Sequence, residues 1–207
     1  MTPAERLARG IAALDVTVSG VAQQTLLDYL DLIGKWNRVH NLTAIRDPAQ
    51  MLTHHLLDSL AVLPHLAGPR VLDVGSGAGL PGIVLAVVQP GWAVTLLDSN
   101  HKKAAFLQQA VIELKLANAE VVCERIEKLD RPQAYDVVIS RAFSALADFV
   151  TAALPVLAPG GVLAAMKGVH PHAELAQLPS SVRRLREMAL KVPGLDAERH
   201  LILLERA

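Results

Sequence analysis

Apolar positions divide the chain into two regimes. In the first third, Leu7, Ile11 and Leu14 recur at helical spacing, as do Leu26, Leu30 and Ile33 behind a Ser19 cap. A third set, Leu52, Leu56, Leu60 and Leu63, follows Asp47. There Asp47-Pro48-Ala49-Gln50 puts a cap, a first-turn proline and a capping-box glutamine in their favoured order, predicting a helix that ends at Pro64.

From Arg70 onward, short apolar runs alternate with helical stretches. Strands are predicted at Arg70–Val74, Ala93–Leu97, Glu120–Cys123, Asp136–Ser140 and Gly161–Met166. Helices are predicted near Pro81–Val88, His101–Leu116 and Leu146–Leu157, the middle one with Phe106, Ala110 and Leu114 on one face. This alternation is the signature of βαβ units and a parallel sheet. Two further strands, around Arg184–Lys191 and His200–Leu204, are separated only by the turn-rich Val192-Pro193-Gly194-Leu195-Asp196. No crossover helix fits there, so this pair is expected to be antiparallel. The expected organisation is a helical segment, residues 1–66, packed on an α/β domain, residues 67–207.

Composition narrows the class. In 207 residues, 20 Lys+Arg balance 20 Asp+Glu, which excludes a strongly basic nucleic-acid module and a charged disordered tail. At 52% hydrophobic, a chain of this length buries roughly 70% of the surface its unfolded form exposes. With three Phe, two Trp and two Tyr, the core must be filled by Val, Leu, Ile and Ala, and base-stacking platforms are scarce. Cys123 is the only cysteine, which excludes a disulfide framework and fits a reducing, cytoplasmic setting. The uncharged stretch from Val74 to Leu97 is broken by glycines and by Pro81 and Pro90, and Glu5, Arg6 and Arg9 interrupt any secretory leader. A soluble, unprocessed protein away from membranes is expected.

The sharpest local signal is Val71-Leu72-Asp73-Val74-Gly75-Ser76-Gly77-Ala78-Gly79-Leu80-Pro81-Gly82, a strand entering a glycine turn and then a helix. Glycines let a ligand approach the backbone closely, and the helix start offers free N–H groups. Asp98, roughly 20 residues on, ends the next strand, where a carboxylate can accept hydrogen bonds from ribose hydroxyls. Together they describe a site for an adenosine-containing cofactor. Gly77-Ala78-Gly79-Leu80-Pro81-Gly82 also satisfies the dinucleotide GxGxxG pattern, so the motif leaves NAD open. Three features favour S-adenosylmethionine. Asp73 at the loop entrance would oppose a pyrophosphate but could help hold a methionine ammonium. The closing strands look antiparallel where a dinucleotide fold continues in parallel. No second domain is present to carry a hydride acceptor.

Several segments together resemble one family: Trp36-Asn37-Arg38-Val39-His40-Asn41-Leu42-Thr43, His55-Leu56-Leu57-Asp58-Ser59-Leu60, Asp73 through Gly82, Leu96-Leu97-Asp98-Ser99, Ser140-Arg141-Ala142-Phe143 and Glu198-Arg199-His200-Leu201. In order along nearly the whole chain, they are similar to the bacterial glucose-inhibited division protein B family of 16S rRNA guanine-N7 methyltransferases. The resemblance implies a class I S-adenosylmethionine methyltransferase fold: Rossmann-like, with a mostly parallel seven-stranded sheet and an antiparallel C-terminal strand, preceded by helices. It implies S-adenosylmethionine as methyl donor and a guanine of the decoding region as target. Cofactor contacts are implied at Gly75, Leu80, Ile126, Glu127 and Arg141, with Asp98 added by the argument above. The chain departs from the family pattern at His54, where Arg or Lys is common, at Asn100 after Asp98-Ser99, and at Ala197.

Guanine N7 carries an in-plane lone pair, so attack on a sulfonium methyl needs no general base, and catalysis reduces to positioning and charge management. A cation against N7 would oppose the positive charge arriving on the purine. Arg141 is therefore assigned to the methionine carboxylate or an RNA phosphate, and Lys167, at the end of the fifth strand, is a second catalytic candidate. Between Asp31 and Asp47 the formal charges are Lys35, Arg38 and Arg46, accompanied by Asn37, His40 and Asn41. This basic, amide-rich strip, with His55 and Arg199, is the expected contact for 16S rRNA, free or in the small ribosomal subunit. A monomer is expected. His54, His55 and Asp58 raise the alternative of a zinc hydrolase, but spacing places no further ligand, so no metal is expected. The preferred reading of His55 and Asp58 is a helix-surface hydrogen bond orienting the loop above the cofactor.

Overall fold

The computed structural model describes residues 1–141, 143 and 145–207; Ala142 of the Ser140–Phe143 motif lies outside the described residues. Helix α1 (Pro3–Ala13) opens on a reciprocal capping box between Thr2 and Glu5, and α2 (Gly20–His40) on Ser19, whose Oγ accepts from Ala22 N. The third predicted helix is a composite of α3 (Pro48–Met51), a π segment (Leu52–Leu57) and α4 (Asp58–Leu60). Asp47 caps it onto Ala49 N, without the reciprocal Gln50 bond among the described residues. The helix ends at Leu60, before Pro64, and a 3-10 turn spans Leu63–His65. The wider π turn shifts the apolar periodicity, so His55 and Asp58 become buried together with Leu56 and Leu57.

Seven strands form one sheet in the order β3-β2-β1-β4-β5-β7-β6. They are β1 (Arg70–Val74), β2 (Ala93–Leu97), β3 (Ala119–Val122), β4 (Tyr135–Ser140), β5 (Leu157–Lys167), β6 (Val182–Ala189) and β7 (His200–Arg206). The pairs among β1 to β5 are parallel, while β7 runs antiparallel to both β5 and β6, as the missing crossover helix requires. Crossover helices α5 (Gly82–Val88), α6 (His101–Glu113) and α7 (Leu146–Ala153) connect the parallel strands, and α8 (His172–Leu175) follows β5. Helix α7 stops four residues short of the predicted end, because Pro155 lies in a 3-10 turn and β5 already begins at Leu157.

Apolar residues cover both faces of the sheet, as parallel strands between helices require. Val71, Leu96, Val137 and Ile139 face a core shared with α1, α2, the composite helix, α5 and α6. Leu72, Leu97, Val138 and Leu163 face a second core closed by Phe149 and Val150 of α7. The N-terminal helices thus bury their apolar stripes on the same sheet face as two crossover helices. Chain order reverses at β1, with β2 on one side and β4 on the other. The carboxyl ends of these strands are where open α/β sheets bind ligands.

Candidate functional site

At the end of β1 the chain turns through Gly75, Gly77 and Gly79, with φ of 68°, 60° and 89°. Gly75 N and Ser76 N both donate to Leu97 O, at 2.8 and 3.0 Å, which extends the β1–β2 ladder into the turn. Gly79 is needed on two counts: its φ is positive, and a Cβ there would stand 2.5 Å from Ile83 Cδ1 and 2.9 Å from the Tyr29 hydroxyl. Tyr29, fully buried on α2, donates a short hydrogen bond to Ala78 O. The helical N-terminal third therefore holds the glycine turn directly.

Asp73, at the loop entrance, has Oδ1 without a hydrogen-bond partner among the described residues. It is fully buried, and Oδ2 accepts from Gly82 N at 2.8 Å, locking the start of α5 onto β1. Burial pushes its carboxyl up to about 6, although the Gly82 N–H counteracts this. Leu80 is likewise buried, within the core beneath the turn. Asp98 sits at the end of β2, where Oδ2 accepts from Gly77 N and Oδ1 from Asn100 N, both at 2.8 Å. It fixes the glycine turn and the start of α6 at once, and each oxygen keeps a lone pair for a further donor.

A cleft of about 300 Å³ runs along this edge. Gly75, Asp98, Ile126, Glu127 and Phe143 line it, so four of the sequence-predicted cofactor residues meet there. Ile126 is buried at the start of a 3-10 turn, whereas Glu127 is exposed at the rim.

A second cleft, of about 400 Å³, takes Arg141 after β4 into its lining, as the first takes Phe143. His55, Asp58, Arg141, Lys167 and Arg199 line it, beside Ile45 and Met166. Asp58 is 1% exposed and serves two cations: Oδ1 accepts from Arg199 Nε at 2.9 Å, and Oδ2 from Arg141 Nη1 at 3.3 Å. Arg141 also donates to His54 O at 3.3 Å. The expected His55–Asp58 hydrogen bond does not form. Asp58 is taken by the arginines, and neither His55 ring nitrogen has a partner among the described residues. Burial, reinforced by the charge of Arg141, lowers the His55 imidazole to about 4; the neighbouring His54 backbone opposes this but does not reach hydrogen-bonding geometry with either ring nitrogen.

Lys167 lines the same cleft, but its Nζ donates to both carboxylate oxygens of Glu174, at 2.8 and 3.2 Å, and to Phe143 O at 3.2 Å. Glu174 also accepts from Leu146 N at 2.6 Å, the start of α7. The pair thus braces the loop between β4 and α7. Within the basic strip, Asn37 is buried: Oδ1 accepts from Thr43 N and Nδ2 donates to Ile45 O, so it shapes the loop after α2 from inside. Arg38, Asn41 and Arg46 are exposed, with Arg46 Nη2 donating to Asn41 Oδ1. Lys35, Arg38 and Arg46 line a groove of about 320 Å³ that also includes Asp31.

Sequence reasoning missed Tyr29 and Glu174, and misread the role of Asp58. Tyr29 stands three residues after Leu26 and four before Ile33, on the apolar face, where spacing marks it as core. Its hydroxyl was the available signal, since a buried Tyr O–H must find an acceptor.

A model of the GidB family, described as rRNA small subunit methyltransferase G, matches residues 22–202. The chain belongs to this family. It is 56% identical over 200 residues to the ribosomal RNA small subunit methyltransferase G of Laribacter hongkongensis, covering 97% of both chains. It is also 56% identical over 214 residues to the protein of that name from Nitrosospira multiformis, covering 100% of this chain and 99% of the relative. Among solved structures, a SAM dependent methyltransferase from Aquifex aeolicus shares the fold with a TM-score of 0.57 at 23% identity, over 76% of this chain and 93% of that one. The [4+2]-cyclase SpnF superposes with a TM-score of 0.62 at 14% identity, over 92% and 97%. A cyclase on this fold illustrates that the family match and the site carry the functional argument, since architecture alone does not.

Proposed function

We propose that the chain transfers the methyl group of S-adenosylmethionine to N7 of a guanine in the decoding region of bacterial 16S rRNA, presented free or in the small ribosomal subunit. It works as a cytoplasmic monomer without a metal, with residues 1–66 as the RNA-side cap. The observation that carries this reading, beside family membership, is that two clefts draw lining residues from one segment after β4. Phe143 lines the cleft at the glycine turn, and Arg141 lines the cleft roofed by the composite helix.

The first cleft fits the cofactor by its chemistry. Positive-φ glycines leave the turn backbone open to close approach, and Asp98 has acceptor capacity for ribose hydroxyls. Ile126 offers an apolar wall and Glu127 an acceptor for adenine, and Leu80 shapes the turn from below. When bound, S-adenosylmethionine supplies an electrophilic sulfonium methyl group.

The second cleft receives the guanine. N7 attacks with its own lone pair, so the protein orients the base and manages charge. Positive charge reaches the purine as the methyl moves, and the neighbouring cations are arranged to limit the conflict. Asp58 compensates Arg141 and Arg199, and Glu174 compensates Lys167. Arg141, with only Nη1 in hydrogen bonds among the described residues, directs its remaining N–H groups to the methionine carboxylate or an RNA phosphate. Lys167 contributes by bracing the loop between β4 and α7. Arg38, Asn41 and Arg46 contact the RNA backbone, with Asn37 fixing their loop.

Transfer of labelled methyl to unmodified small-subunit rRNA, free and as a particle, followed by nucleoside analysis, tests the reading. Appearance of 7-methylguanosine is the expected result. Cofactor binding without labelled RNA would shift the assignment to a small-molecule or protein substrate.

A further inference from the structure

Among the described residues, the second cleft holds one buried side chain whose polar atoms have no hydrogen-bond partner. Of its polar lining side chains, His55 and Asp58 are buried, at 3% and 1% exposure. Asp58 is engaged by two arginines, whereas His55 Nδ1 and Nε2 both lack a partner among the described residues. A buried imidazole without a hydrogen bond is costly and calls for a partner that completes it; of the side chains with such unpartnered atoms among the described residues, His55 is the one that lines this cleft. The π segment Leu52–Leu57 presents this ring, in a kind of local irregularity that concentrates at functional sites.

The chemistry of N7 transfer specifies what such a group must be. O6 of guanine is adjacent to N7 and is the acceptor that separates guanine from adenine on that edge. A lysine or arginine donating to O6 would place a full charge beside the atom that becomes cationic. An uncharged N–H donor holds the base without that penalty. The charges acting on His55 reinforce the point: Arg141 and His54 both disfavour an imidazolium, and Asp58, which lines the same cleft, is already paired with two arginines.

Resting on the proposed rRNA guanine-N7 activity, we propose that the His55 imidazole N–H donates to O6 of the target guanine in this cleft and so sets the orientation of the base. His55 is then a substrate-reading residue, and Asp58 keeps the adjacent cations off the purine.

The experiment measures methyl transfer to rRNA carrying guanosine or 2-aminopurine riboside at the position identified by nucleoside mapping. 2-Aminopurine retains N7 but lacks O6. His55→Leu is expected to lower kcat/KM on guanosine rRNA about 10- to 100-fold, with unchanged cofactor Kd and no fall in Tm. His55→Gln, which keeps an N–H donor, recovers most of that loss. On 2-aminopurine rRNA the wild type and His55→Leu should differ less than twofold. A His55→Leu variant as active as wild type on guanosine rRNA overturns the assignment, as does an undiminished gap between the two proteins on 2-aminopurine rRNA. Should His55→Leu not fold, the wild type alone decides: a loss under threefold on replacing guanosine by 2-aminopurine overturns it. If the wild type labels no rRNA at all, the parent reading falls as well, which separates the two failures.

Discussion

Arg199 Nε donates to Asp58 Oδ1 across 2.9 Å, tying the start of the last strand to the helical N-terminal third. The same carboxylate holds Arg141 through its other oxygen. Asp58→Ala removes an anion that orients both guanidinium groups. Because the arginine side chains are 33% and 23% exposed, water can solvate them, so the expected stability loss is about 1–3 kcal/mol. Methyl transfer should fall more than tenfold. Arg141→Ala should lose most transfer with the protein still folded. Near-normal turnover in Arg141→Ala, followed with labelled cofactor, would remove that arginine from the site.

Tyr29→Phe deletes one hydroxyl and leaves Ala78 O buried without its donor. Destabilisation of ~1–2 kcal/mol is expected, together with weaker cofactor binding, because Ala78 lies inside the glycine turn. Calorimetric titration with S-adenosylmethionine checks this. An unchanged Kd would reduce Tyr29 to a core residue.

Two buried groups make opposing contributions to stability as pH changes. His55 is lowered from 6.5 to about 4, so the unfolded chain takes up its proton first, and this contribution is lost as pH falls from about 6.5 to 4. Asp73 is raised from 3.8 to about 6, so its contribution is full below about 4 and lost as pH rises to 6. Asp73→Asn keeps an acceptor for Gly82 N–H and removes the second effect. Its stability relative to wild type should therefore rise between pH 4 and 6, on the order of 2 kcal/mol at most. Urea unfolding of both proteins across that range provides the comparison; parallel curves would show that Asp73 ionises normally.

Replacing Lys35, Arg38 and Arg46 with Ala should weaken rRNA binding at every salt concentration while leaving cofactor affinity alone. Each lost phosphate contact flattens the log–log salt slope by roughly 0.7–0.9. Filter binding across a salt series measures it, and an unaltered slope would place the RNA elsewhere.

Much of the framework was legible in the chain itself. Periodicity located six of the strands to within about two residues, because a strand buried on both faces is an uninterrupted apolar run and its neighbours are amphipathic helices; the fifth begins four residues earlier than predicted, at Leu157, because Pro159-Gly160-Gly161 reads as a turn but is carried within the strand. The antiparallel end of the sheet followed from a gap too short for a crossover helix. The glycine turn and Asp98 were readable because positive φ and close approach admit few residues other than glycine, and this demand is local.

What remained hidden was set by partners far apart in sequence. No spacing rule joins Tyr29 to Ala78, or Asp58 to Arg141 and Arg199; these contacts exist only once the helices dock on the sheet. The π segment likewise rotated His55 and Asp58 inward, undoing the helix-surface pairing that a regular 3.6-residue turn suggested. Asn37 and Lys167 show the same limit, since an amide or an ammonium in the sequence carries no record of which internal acceptor will claim it. Local backbone demands are written residue by residue, so the sequence alone determined the sheet and the glycine turn. Burial and charge pairing depend on all elements at once, so only the tertiary structure decided which polar groups are engaged with one another and which, like His55, are left for a ligand.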